Sequence, residues 1–451
     1  MTRRIRIKKA GAEAPGDTMR NGLSKIKIWL NQGIGKIAPL THFIPEKTRH
    51  AVADRLIRAT TPKRITRVHP PVREGRIPYP PGINEYGLFR ATIGLSQGAK
   101  LYARALEKTG IPLSLVSISF APMHPDTDHS YDRALSRGGK YAVNLIHVNA
   151  PSMEGAFTAF PRRLFDNHYN IGVWLWELET LPASWREALP FVDELWVPSR
   201  FIAGAVQKET DKPVTVIPYG IETPTAPCGR ADFGFPEGTF LALAMYDSYS
   251  YASRKNPEGA IAAFEQAFGG RAEDAALVLK VANGKPEELR ALRERLDRSG
   301  IRYFLVTERL EKPKLNAMIA CCDVFMSLHR SEGFGLVVAE AMNLAVPVIA
   351  TGWSANAEFM PPECTCRVGY TMVPVGDAYQ AEGEPQVWAE PDVAEAARFL
   401  RRLKDQPAEA RRMALAAQEY LRREYSIEKC AEKMRKRYDE ICRRLRKDGA
   451  L

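Results

Sequence analysis

From about residue 83, short runs of consecutive apolar residues alternate with stretches whose apolar residues recur every three or four positions. The short runs, near 113–118, 142–148, 171–175, 195–198 and 214–218, are too continuous for a sheet with one wet face and predict strands buried on both sides. Between them, 96–108 has helical spacing, with Ala99, Leu101, Tyr102, Ala105 and Leu106 on one side, and Gly110 supplies a left-handed cap. Helical stretches follow at 151–165, 183–191 and 199–209. Pro224, Pro227 and Pro236 mark a break. A second alternation then predicts strands at 240–245, 276–282, 301–307, 323–328 and 346–350, with helices at 257–268, 286–298, 313–322 and 336–345. Helices at 391–404, 407–423 and 427–446 close the chain. Such alternation predicts an α/β protein of two tandem Rossmann-like domains facing a central cleft. The expected divisions are an extension and linker over 1–82, a first domain over 83–222, a second over 232–425, and a C-terminal helix over 426–451.

The first 80 residues break the pattern. They hold 18 Lys/Arg against 5 Asp/Glu, whereas the rest of the chain holds 46 against 48. The net charge of +11 therefore belongs to an N-terminal extension. Within 21–60, Ile26, Ile28, Trp29, Leu30, Ile34 and Ile37 interleave with Lys25, Lys27 and Lys36, which predicts a short amphipathic helix with a basic side; a second is expected at 46–59. Pro62, Pro70, Pro71, Pro78, Pro80 and Pro81 predict an extended linker. A basic amphipathic stretch suits an anionic membrane surface, and a packing arm is the competing reading. Nucleic acid is not expected, because no recognised module accompanies the charge. No apolar run reaches ~18 residues and no secretory leader is read at the N-terminus, so the expected location is cytoplasmic, with peripheral contact at the inner membrane face. Seven scattered cysteines give no disulfide framework, and Cys364-Thr-Cys366 is too tight for a metal knuckle.

The chemistry concentrates at 329–342, His-Arg-Ser-Glu-Gly-Phe-Gly-Leu-Val-Val-Ala-Glu-Ala-Met. A predicted strand precedes it and a predicted helix follows Gly335. Backbone N–H groups and a positive helix end then face the loop, where an anion is favoured. Glu332 lies in the loop and Glu340 about a turn and a half into the helix, counted at ~3.6 residues per turn. A carboxylate so placed suits the hydroxyls of a ribose or sugar.

This Glu-x7-Glu constellation resembles that of retaining glycosyltransferases of the GT-B fold, family 4 in particular. Lys255-Asn256-Pro257 and Val216-Ile-Pro-Tyr-Gly-Ile-Glu222 stand in the order that family uses, and the resemblance covers roughly 80–445. It implies a nucleoside-diphosphate sugar as donor, a glycan or lipid-linked acceptor, and polysaccharide or lipopolysaccharide assembly as the setting. It implies Glu332 near the donor sugar, Glu340 on the ribose hydroxyls, the segment Gly333, Phe334, Gly335 and Leu336 as a cradle, and a C-terminal helix, 426–451, crossing back to the first domain. Arg254 and Lys255 are the candidate diphosphate cations, adjacent here where the family spaces them apart; Lys280 is a third. Where many family members place a histidine, the strand here ends in Trp176-Glu177. Glu177 is a candidate to position the acceptor or act as its base, and Trp176 to stack on a sugar; a core tryptophan and a surface glutamate are the alternative. His147, Asn149 and Gly94 are further acceptor-side candidates. No protein nucleophile is assigned.

No metal or other cofactor is expected. Asp126-Thr-Asp128 has the Asp-x-Asp form of metal-dependent transferases of another fold, but it sits in a Pro- and His-rich loop of the first domain, and the second already supplies cations. An epimerase or phosphorylase of the same fold, and a non-catalytic nucleotide- or carbohydrate-binding protein, are the competing functions.

Overall fold

The computed structural model describes residues 69–120, 126–269, 273–376, 379 and 385–451. The helices expected within 21–60 lie outside the described residues. Pro70–Leu451 form one compact unit. The stretch 70–82, expected as linker, therefore belongs to the body: Ile77 is buried, and its N–H donates to the Ala450 carbonyl (2.7 Å).

The first half contains β1 (Ile83–Gly87), α1 (Gly94–Lys108), β2 (Leu113–Ser117), β3 (Val143–His147), α2 (Ala150–Ala159), β4 (Tyr169–Val173), β5 (Glu194–Val197), α3 (Arg200–Gln207) and β6 (Val214–Val216). Its six strands are parallel, in the order β2-β1-β3-β4-β5-β6. Burial on both faces explains the mainly apolar composition of β2 to β5; β1, Ile-Asn-Glu-Tyr-Gly, is equally buried but is not among the expected strands, because Asn84 and Glu85 interrupt its apolar run. Two predicted helices came out differently. Residues 183–191 wind as a 3-10 helix with Trp185, Ala188 and Phe191 buried, a three-residue spacing that suits the tighter coil. The helix expected over 151–165 stops at Ala159, because Pro161 pushes Phe160 into extended backbone (φ −123°, ψ 155°).

The second half contains β7 (Phe240–Asp247), α4 (Ala252–Lys255), α5 (Pro257–Phe268), β8 (Ala275–Ala282), α6 (Pro286–Ser299), β9 (Tyr303–Val306), α7 (Lys312–Ala320), β10 (Val324–Ser327), α8 (Leu336–Asn343), β11 (Val348–Thr351) and β12 (Cys366–Val368). Again six strands are parallel, in the order β12-β11-β10-β7-β8-β9. An antiparallel hairpin, β13 (Tyr370–Pro374) and β14 (Val387–Pro391), then precedes α9 (Val393–Asp405), α10 (Pro407–Glu424) and α11 (Ile427–Lys447).

The chain reverses direction across each sheet between β1 and β3 and between β7 and β10. Ligands of such sheets bind at that switch, beyond the carboxyl ends of the strands. In the second sheet those ends lead into the loops 248–256 and 328–335.

Helix α11 returns to the first half, as the resemblance led us to expect. Arg437 donates twice to Glu194 on β5 (2.7 and 2.8 Å), and Ile221 N–H donates to the Tyr425 carbonyl (2.8 Å). Ile427, Met434, Ile441 and Leu445 are buried along it, each contributing roughly 1.5–3 kcal/mol. Gly220 permits the crossing, since a Cβ there would stand 2.6 Å from the Cα of Ile427.

Candidate active site

The turn after β7 is built around Asn256. Its backbone is left-handed (φ 52°, ψ 55°), a conformation asparagine tolerates better than most side chains. Its Oδ1 accepts from Gly259 N–H (3.0 Å), capping α5, and Pro257 takes the first helical position, where no N–H is needed. Its Nδ2 donates to the Leu328 carbonyl (2.9 Å). One residue thus ends α4 through its backbone, and starts α5 and fixes the loop after β10 through its side chain. The Lys-Asn-Pro pattern is a structural joint between the two loops of the switch point.

That joint delivers Arg254 and Lys255 to Glu332. Lys255 Nζ pairs with Glu332 Oε1, and Arg254 Nη1 lies 3.3 Å from Oε2. Arg254 also donates to the Ser331 carbonyl (2.8 Å) and stands 3.6 Å from Glu177 of the first half. Burial alone would raise the Glu332 carboxyl; Lys255 and Arg254 outweigh it and hold the group at about 2. The Nε of Arg254 is buried with no hydrogen-bond partner among the described residues.

Most of the loop's backbone is tied. Arg330 N–H donates to the Arg254 carbonyl (2.7 Å), Ala389 N–H to the Arg330 carbonyl (3.0 Å), and Thr351 Oγ1 to the His329 carbonyl (2.6 Å). Glu332 N–H donates to Ser354 Oγ (2.9 Å), and Ser199 of the first half donates to the Gly333 carbonyl (2.9 Å). Ser354 carries φ 68° and ψ −157°, a region glycine alone occupies easily. Gly333 passes so close to the first half that a Cβ would meet the Trp176 carbonyl at 2.8 Å. Gly335 begins α8 at φ 88° with no side chain capping it. The first-turn N–H groups of Leu336 onward therefore face the loop, and Phe334 packs edge-on against Tyr219 (5.1 Å). Buried His329 is neutral, since burial pulls its imidazolium down to about 4.

The remaining predicted residues separate into groups. Glu340 is 1% exposed and pairs with Lys312 Nζ (2.5 Å), a partner the sequence reading missed because Lys312 opens a different helix. Glu177 is held by Tyr379, whose hydroxyl donates to Oε2 (2.6 Å), and Ser331 Oγ donates to its carbonyl. Trp176 is 4% exposed, donates from Nε1 to the Thr180 carbonyl (2.8 Å) and packs on Trp185. It is a core residue with no face open to a sugar. Lys280 is buried with its Nζ on the Val281 carbonyl (3.2 Å), and burial lowers its ammonium; no contact joins it to Glu332. His147 is fully buried, 3.2 Å from the Tyr219 hydroxyl and 3.9 Å from Glu85, with burial lowering it to about 3. It is a neutral interior residue. Asn149 starts α2 and accepts from Leu175 N–H (2.8 Å), tying β3 to the segment after β4. Gly94 starts α1 with open space where a Cβ would project. Asp128 is engaged by Lys100 (2.5 Å) and Ser130 N–H (2.9 Å). Among the described residues, no three His, Cys, Asp or Glu side chains gather as a metal site, and no helix is long and apolar enough to cross a membrane.

Comparison with known proteins places this geometry. Residues 247–383 match the family model described as glycosyl transferases group 1. The whole fold is similar to HepE of Anabaena, solved with UDP and glucose, at 15% identity over 80% of this chain and 100% of that one, TM-score 0.57. It is similar to sucrose-phosphate synthase from Thermosynechococcus elongatus, at 16% identity over 80% and 98%, TM-score 0.59. A glycosyltransferase from Rickettsia africae gives 13% identity over 80% and 99%, TM-score 0.57. No curated protein sequence matches. These structural matches show the GT-B fold. The chain's second half carries the group 1 module, from the end of β7 into the β13–β14 hairpin.

Proposed function

We propose that the protein transfers a sugar from a nucleoside-diphosphate sugar to a hydroxyl of a glycan or lipid-linked acceptor, with retention at the anomeric carbon. The observation that carries this reading is the cation pair of buried Arg254 and half-buried Lys255 at the switch point of the second sheet. Diphosphate departure builds negative charge. Two cations and the start of α8, fixed beforehand by the loop's hydrogen bonds, stabilise that charge without reorganising. Glu332 pairs with both cations. Phosphate oxygens take over part of that role, leaving the Glu332 carboxylate beside the sugar, where positive charge develops at the anomeric carbon. Glu340, with Lys312 as counter-charge, accepts from the ribose hydroxyls. Glu177 faces the same cations from the first half and positions the acceptor. Because two side chains supply the charge, no divalent ion is required and transfer continues in EDTA. HepE is solved with UDP-glucose, so uridine donors are the first to test. The basic segment that precedes Pro70 holds the enzyme at an anionic surface, which liposome co-sedimentation of full-length protein and a variant lacking that segment tests.

The deciding experiment is a thermal-shift screen against UDP, GDP, ADP and their sugar conjugates, with EDTA or with Mg2+. One nucleotide should raise the melting temperature equally in both, and Lys255→Ala should abolish the rise. No shift with any nucleotide overturns the donor site.

A further inference from the structure

Between β7 and Arg254 the chain makes an anchored turn that presents aromatic rings outward. Asp247 Oδ1 accepts from Tyr249 N–H (3.0 Å), and both of its oxygens accept from Asn283 Nδ2 (3.0 Å each). Ser248 Oγ donates to Glu288 (3.0 Å). On this fixed turn Tyr249 is 60% and Tyr251 38% exposed, two of the few large apolar side chains so open among the described residues. Tyr251 has φ 59° and ψ 107°, outside the regions bulky residues adopt without strain. Its carbonyl nonetheless accepts from both Arg254 and Lys255 N–H (3.1 Å each), so the strained residue starts the turn that bears the cations. Folding alone favours glycine or asparagine there. Strain retained beside a site under a large, exposed ring points to the ring having a use.

Its neighbours say which. Tyr251 packs edge-on against Tyr379 (4.9 Å), whose hydroxyl binds Glu177, and Glu177 lies 3.6 Å from Arg254. An open aromatic face, a half-buried carboxylate and the diphosphate cations thus lie in sequence. Aromatic faces take the C–H face of a sugar ring, and carboxylates accept from its hydroxyls. We infer that Tyr251 is the stacking platform of the acceptor subsite, receiving a pyranose ring whose hydroxyls are held by Glu177. This rests on the donor reading above and adds the class of acceptor and the residue that selects it.

The test uses saturation-transfer NMR on the full chain with the stabilising nucleotide present. The probes are the methyl α- and β-pyranosides of glucose, galactose and mannose. Wild type and Tyr251→Phe should transfer saturation to ring C–H protons of at least one glycoside. Tyr251→Gly, which removes the ring while relieving the backbone, should weaken that glycoside at least tenfold. Its nucleotide-induced melting shift should equal that of wild type. Binding of no glycoside by the wild type, or equal binding by Tyr251→Gly, overturns the subsite while leaving the donor reading intact. A missing nucleotide shift in the wild type defeats the donor reading instead.

Discussion

At the scale of single residues, the decisive quantity is the charge balance around Glu332. Its folded-state carboxyl at about 2 lies below the ~4.3 of an unfolded glutamate. The pairing therefore stabilises the fold fully above about pH 5, and the contribution is lost as pH falls from there through about 2. Two units correspond to about 3 kcal/mol as an upper bound. Glu332→Gln should lower the unfolding free energy by that order at pH 7, because it strands two cations, and the gap to wild type should narrow by pH 3. Urea melts at pH 7, 5 and 3 measure this; a gap independent of pH would remove the charge argument. The same variant separates binding from chemistry. With Glu332 neutral, Arg254 and Lys255 are open to an anion, so nucleoside diphosphate should bind at least as tightly as to wild type while transfer is lost. Titration calorimetry beside a transfer assay shows both, and weakened diphosphate binding would contradict the proposed exchange of carboxylate for phosphate.

Secondary-structure elements carry the site through their ends. Asn256 caps α5, tolerates a left-handed backbone and holds Leu328, so Asn256→Ala removes all three contributions. Cap loss alone costs roughly 0.5–2 kcal/mol and the left-handed conformation roughly 1–2 more. Asn256→Gly restores the backbone freedom and should recover a part, leaving the cap deficit; chemical denaturation of the two variants resolves the terms, and equal destabilisation would refute this division. The sequence made such joints partly visible. Lys255-Asn256-Pro257 and the Gly-Phe-Gly turn stand at strand-to-helix junctions, and buried parallel strands announce themselves as apolar runs, so Arg254, Lys255 and Glu332 could be placed at one edge. The β13–β14 hairpin was not legible: Tyr370-Thr-Met-Val-Pro leaves Tyr370 and Met372 exposed and has no clean alternation. Tyr251, Tyr379 and Lys312 were missed for a different reason. Their meaning lies in Glu177 and Glu340, which are distant in sequence, and no periodicity records such a meeting. Trp176 and His147 show the converse, since a strand end adjoining a cleft reads the same whether its side chain turns to ligand or to core.

Over the whole body Pro70–Leu451, the two halves meet through apolar packing, such as Phe334 on Tyr219 and Phe201 on Trp353, and through polar contacts that can be made and broken. Glu358, from the second half, accepts from the N–H groups of Arg200 and Phe201 (3.1 and 2.8 Å) and so caps α3 of the first. Arg309, beyond β9, donates to Thr127 (2.7 Å) and to Thr92. Ser331 and Arg254 reach Glu177. Only the last group belongs to the proposed site; the other two lie outside it and join the halves elsewhere. A donor must enter between the halves, and water must then be kept from the activated sugar, so these outer contacts set a balance between opening and closure. Exposed contacts of this kind contribute about 0–1 kcal/mol each, enough to shift that balance without unfolding either half. Arg309→Ala combined with Glu358→Ala should therefore enlarge the radius of gyration in small-angle scattering. Nucleotide should associate faster, and donor hydrolysis should rise at the expense of transfer. The C-terminal helix, held by Arg437 on Glu194, keeps the halves tethered, so the melting temperature should change little. Unchanged scattering, or a loss of transfer with no gain in hydrolysis, would show that the outer contacts are incidental and that closure depends on the substrate alone.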